Sequence, residues 1–116
     1  MIKVKHSIQE LNNFANHLEY CVSSGPKTID LTKEYLLACS LDSLVKRIRK
    51  KVLQAEIDRK FFTPLTIKIE NPEILALSIY FGRYELPSYM KVIEHNVLSN
   101  VPSEIINILR PKQNDY

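Results

Sequence analysis

The sequence predicts an α+β fold. We expect one predominantly helical domain of four or five helices, with three short β-strands that each lead into a helix. Three observations carry this. Residues 32–57 hold no Gly or Pro and repeat apolar side chains at helical spacing. Three short runs, around Ile2–Val4, Thr28–Leu31 and Leu65–Ile69, are rich in β-branched residues, two with clear alternation. Only two glycines occur, too few for a turn-rich all-β fold or a Gly-rich phosphate loop.

Ile2 and Val4 alternate with Lys3 and Lys5, the pattern of a half-buried strand. Ser7-Ile8-Gln9-Glu10 then has capping-box form and opens a first helix. Its inward face is Ile8, Leu11, Ala15, Leu18 and Val22, and Ser23-Ser24-Gly25-Pro26 ends it. Thr28–Leu31 reads as the second strand, running straight into the longest helix.

Thr32 is the expected N-cap of that helix, with Glu34 in its first turn. Leu37, Leu41, Leu44, Val45, Ile48, Val52 and Ala55 form its core stripe. Leu53 and Ile57 fall among the charges, so a kink or stop near Val52, or a second covering element, is expected. Phe61 and Phe62 read as aromatics plugging the core from a loop.

Leu65–Ile69 is the third strand. Asn71-Pro72-Glu73 is a cap, a first-turn proline and an acid at the positive end of the dipole. The helix it opens is apolar nearly all round and so should be buried, with Gly82 as its C′ residue. Leu86-Pro87-Ser88 starts a fourth helix with Met90, Ile93 and Val97 inward. Ser103–Arg110 is a short fifth, and 111–116 a flexible tail to a domain spanning 1–110.

An internal echo links Thr28-Ile29-x-Leu31 to Thr66-Ile67-x-Ile69, and Leu36-Leu37-Ala38-x-Ser40-Leu41 to Ile74-Leu75-Ala76-x-Ser78-Ile79. A shared strand-to-helix binary pattern accounts for it more simply than duplication does.

Composition is that of an ordinary globular protein, and a net charge of +3 permits an acidic partner without demanding one. No apolar run reaches the roughly 20 residues of a membrane span. Cys21 and Cys39 sit among apolar neighbours, so two reduced, packed thiols in a cytoplasmic protein are expected.

Candidate chemistry is sparse. His17 and Cys21 are four apart on one helix, half of a metal site without the other half. No nucleophile motif joins a Cys to a His, so neither catalysis nor a cofactor is expected. Lys46, Arg47, Arg49, Lys50 and Lys51 put five cations in six residues. Meeting five phosphates would give a salt slope of about −4.5 on duplex DNA. Tyr80, Tyr84 and Tyr89 bracket the connection before the fourth helix, and grouped tyrosines suit a protein contact.

The expected function is therefore that of a small intracellular, non-catalytic interaction or regulatory protein. It would bind a protein partner or itself, through the tyrosines or an exposed strand edge. The alternative is a nucleic-acid-binding accessory protein that uses the basic helix face around 46–51.

Overall fold

The longest element sets the scaffold. Helix α2, Leu31–Ile57, is 27 residues long, a rod of about 40 Å at 1.5 Å per residue. In the computed structural model, residues 1–24, 31–83 and 86–109 are described, with side chains at 1–20, 36–82 and 86–106. Around α2 come strand β1 (Ile2–His6), helix α1 (Ile8–Ser24), strand β2 (Leu65–Ile69) and helix α3 (Asn71–Arg83). A 3₁₀ turn, Ser88–Met90, runs into α4 (Lys91–Ser99), and α5 (Ser103–Leu109) closes the order.

The stripe on α2 behaves as its spacing requires. Leu41, Leu44, Val45, Ile48, Val52 and Ala55 are buried, and Leu37 is packed against them. α1 lies along α2, while α3 and β2 cover other parts of the same helix. One cluster of buried side chains extends from Ile2 on β1 to Ile105 on α5. Phe14 joins Leu11, Ala15 and Leu18 on the inward face of α1.

Two strands, not three, are present among the described residues. β1 and β2 pair antiparallel over their full length, Ile2 opposite Ile69 and His6 opposite Leu65. Ile2, Val4, Ile67 and Ile69 face the core, while Lys3, Lys5, Thr66 and Lys68 face solvent. Of the expected strand at 28–31, residues 28–30 lie outside the described residues and Leu31 already belongs to α2. At Leu31 the helix prevails, gaining a hydrogen bond for each residue added. Thr32 is accordingly inside the helix and not its cap. The tail 111–116 also lies outside the described residues.

Local signals hold elsewhere. Ser7 Oγ accepts from the Glu10 amide at 3.1 Å, and Glu10 Oε1 accepts from the Ser7 amide at 3.0 Å, a complete capping box. The start of α3 differs by one residue. The Ile74 amide donates to Glu70 O, and the Glu70 amide donates to Glu73 Oε1 at 2.8 Å. Glu70 therefore occupies the cap position, and Asn71 instead accepts from the Met1 ammonium. Ser78, the polar residue of the apolar run, donates back to Ile74 O at 2.9 Å. Gly82 stays helical with no positive φ, so α3 passes through it to Arg83.

In the echo, the helical halves differ in what they bury. Leu36 is exposed where Ile74 is fully buried, which fits a shared pattern better than a shared site.

His6 ties three elements. It is buried on β1, its Nε2 lies 2.9 Å from Asn96 Nδ2 on α4, and Glu10 of α1 faces its Nδ1 at 3.6 Å. An amide nitrogen only donates, so Nε2 is the acceptor and the proton sits on Nδ1. Burial pushes the His6 pKa below its ordinary 6.5, against the opposing pull of Glu10. Burial also lowers that of His17. For a depressed histidine, the unfolded chain binds the proton first as pH falls. Stability is therefore fully present above pH 6.5 and declines below it. The urea midpoint should drop between about pH 7.5 and about pH 5, and a flat or rising midpoint would contradict the buried neutral imidazoles.

Candidate functional site

The surface of α2 that looks away from the core is continuous. Steps of three and four from Leu36 reach Cys39, Ser43, Lys46, Lys50, Leu53 and Ile57, and all seven are exposed. The helix neither kinks nor stops at Val52. Leu53 and Ile57 are 59% and 64% exposed, because nothing among the described elements covers that side.

The end of α2 shapes the rest of the site. The Lys60 amide donates to Ala55 O at 2.8 Å and the Arg59 amide to Glu56 O at 3.1 Å. This is a Schellman ending, with Arg59 in the left-handed region at φ 58° where glycine is usual. An L-residue held there costs about 1 kcal/mol. Gln54 Nε2 reaches Asp58 Oδ1 at 3.2 Å across the last turn. The chain then turns through Phe61 and Phe62. Phe61 is 54% exposed and Phe62 98%, so neither plugs the core. Leu53, Ile57, Phe61 and Phe62 thus fall in one short, exposed stretch at the end of the long helix, a stretch that also carries Lys50, Arg59 and Lys60 with Glu56 and Asp58.

The five cations of the basic run do not form one open face. Arg47 is half-buried, and its Nη1 lies 2.5 Å from Glu73 Oε1 and 3.0 Å from Lys68 O. Glu73 is buried on α3, so this pair joins α2, β2 and α3. Arg49 bonds to Glu19 at 3.0 Å and to Asn16 at 2.7 Å, clasping α1. Lys46 lies 3.0 Å from Asp42, one turn back on its own helix. Lys50 and Lys51 are exposed, and no ion pair among the described residues involves either. The geometry follows from helical spacing: Arg47 and Arg49 flank the buried Ile48, so each reaches past it to a neighbouring element.

The tyrosines also separate. Tyr80 is 1% exposed, edge-on to Phe81 and hydrogen-bonded through its hydroxyl to His17 Nδ1. It is a core residue in this structure. Tyr84 lies outside the described residues, and Tyr89 is exposed. His17 is thus engaged with Tyr80, while the Cys21 side chain lies outside the described residues. Among the described residues, no three His, Cys, Asp or Glu side chains converge as a metal would require. Cys39, expected to be packed, is an exposed free thiol. Its position on the outward stripe explains this.

Comparison with protein-family models, with curated proteins and with solved structures finds no match.

Glu73 was legible only as a first-turn acid. Its burial comes from the side chain folding back to the Glu70 amide, where Arg47 meets it. Removing Arg47 strands a buried carboxylate. Arg47→Ala should lower unfolding stability by about 2–3 kcal/mol, somewhat under the usual cost of a broken buried pair because the guanidinium is partly wet. Lys50→Ala should change it by less than about 0.5 kcal/mol. Equal effects in urea denaturation would contradict the division between structural and free cations.

Proposed function

We propose that this is a small non-catalytic interaction protein that docks protein surface onto the outward stripe and apolar end of α2, beginning with a second copy of itself. One observation carries this: Leu53, Ile57, Phe61 and Phe62, four large apolar side chains in one short stretch of chain, are all more than half exposed. Scattered exposed leucines are ordinary, but four bare apolar side chains at the end of one helix and its following turn, one of them a nearly bare phenylalanine, suit a contact surface. The strained Arg59 supports the reading, because backbone strain persists where the surroundings hold it in place.

Self-association follows from the order along the stripe. Apolar or weakly polar residues, Leu36 and Cys39, occupy one end, and Leu53 and Ile57 the other. Two copies laid antiparallel about a two-fold axis bring unlike ends together and place apolar on apolar. A parallel pairing would stack Lys46 and Lys50 each on its own copy, whereas the antiparallel one sets Ser43 against Lys50 and leaves Lys46, at the centre, beside its copy.

Magnitudes favour a weak pair. Eight such side chains across the interface, at about 1.5 kcal/mol each, give about 12 kcal/mol of gross burial. Association costs on the order of 4–15 kcal/mol. The surplus is small, so the pair should be concentration-dependent.

The nucleic-acid reading of residues 46–51 has less support, since Lys46, Arg47 and Arg49 each meet a carboxylate of the chain. No helix among the described residues is long and apolar enough to cross a membrane. An exposed Cys39 thiol suits a reducing compartment, which supports a cytoplasmic setting.

Light scattering should report a mass approaching twice the 13.5 kDa of the chain as concentration rises through the micromolar range. Leu53→Asp combined with Phe62→Ser should return it to monomer with unchanged helical circular dichroism. A wild-type protein that stays strictly monomeric at hundreds of micromolar would overturn the proposal. So would a dimer indifferent to both substitutions.

A further inference from the structure

The solvent face of the β1–β2 ribbon holds a second feature that self-association leaves unused. Alternation puts Lys3 and Lys5 of β1 and Thr66 and Lys68 of β2 on that face. The register sets Lys3 directly opposite Lys68, and Lys5 opposite Thr66. Like charges placed directly across a strand pair destabilise it. Along β1, Lys3 and Lys5 are about 6.8 Å apart, two residues of extended chain. Among the described residues, no ion pair involves Lys3 or Lys5. Lys68 meets Glu70 at 3.8 Å, a loose contact past the end of β2 with both side chains about half exposed.

Arg47 holds α2 to β2 through Lys68 O, and Lys51 lies one helical turn beyond Arg47 on the same side of α2. The three ribbon lysines alone equal the formal net charge of the whole chain, +3, so the remaining charges balance elsewhere. Lysine on an exposed strand also discourages edge-to-edge pairing of sheets. That role needs no lysine opposite another lysine.

We propose that this ribbon face binds the phosphate backbone of duplex nucleic acid without reading its sequence, through Lys3, Lys5 and Lys68 with Lys51 at the margin. The face carries no aromatic ring, so it offers bases nothing to stack on. Its lysines are flexible point charges suited to phosphate and not to base edges. Opposed cations that repel one another in the free protein are relieved by a polyanion lying between them. The site is separate from the outward stripe of α2 and stands whether or not the chain self-associates.

The test is fluorescence anisotropy of a labelled mixed-sequence DNA duplex titrated with the full chain. Three phosphate contacts predict that affinity falls about 40-fold between about 50 mM and about 200 mM salt. Lys3→Glu together with Lys5→Glu should weaken binding at low salt by at least about tenfold. Lys91→Glu, at the exposed start of α4 and outside both surfaces, should leave it within about twofold.

Lys3→Glu alone has a second readout. It turns a repulsive cross-strand pair into an attractive one, so the thermal midpoint should rise while duplex binding falls. A merely structural lysine would not show those opposite signs. The proposal is overturned if the wild type shows no binding at low salt, or if Lys91→Glu weakens it as much as the ribbon substitutions do. It is also overturned if the chain binds phosphatidylserine vesicles and not the duplex, which would make the face a membrane contact.

Discussion

Burial of one side of α2 is the constraint on which the other elements depend. Leu44, Ile48 and Val52 are removed from water almost completely, each contributing roughly 1.5–3 kcal/mol. α1, α3 and β2 all use that helix as a wall. α2 is covered on one side as far as Ala55 in its last turn, so its other side is left bare along the whole stripe from Leu36 to Ile57. The apolar tip is the end of that uncovered side. The molecule measures 55 × 30 × 24 Å, elongated as a chain built around one long rod should be.

Charge is divided by the same geometry. Cations that flank the buried stripe, Arg47 and Arg49, reach neighbouring elements and fasten them. Those on the outward side stay in water. Glu73 shows how a buried acid is tolerated: its Oε1 receives both a backbone amide and a guanidinium. The pair sits where three elements meet, so it fixes their relative placement more than it adds net stability. The sheet treats charge differently, since strand alternation forces Lys3 and Lys68 onto one face and opposite one another.

Much of the fold was readable from residue order. The capping box at Ser7, the stripe on α2, the alternation of β1 and β2 and the inward Met90, Ile93 and Val97 follow from local rules, and tertiary packing agrees with them. Of the strand expected at 28–31 only Leu31 is described, and there the long helix overrides a β-leaning residue type. Cys39 and Phe62 were misplaced for a different reason. An apolar neighbourhood in sequence says nothing about which side of a helix lacks a neighbour in space. The candidate site was half visible: Leu53 and Ile57 stood out as breaking the pattern. That they are left open depends on which side of α2 the other elements cover. The separation of the basic run into clasped and free cations depends on Glu19 and Glu73, distant in sequence, arriving beside it.

Native-state amide hydrogen exchange along α2 tests the scaffold most directly. Amides from about residue 41 to 55 should exchange only through global unfolding, more slowly than those of α4 and α5, with protection lost toward Ile57. Exchange of the 44–52 amides as fast as that of α5 would mean that the long helix is carried by its neighbours. The core, the open stripe and the tip would then need a different explanation.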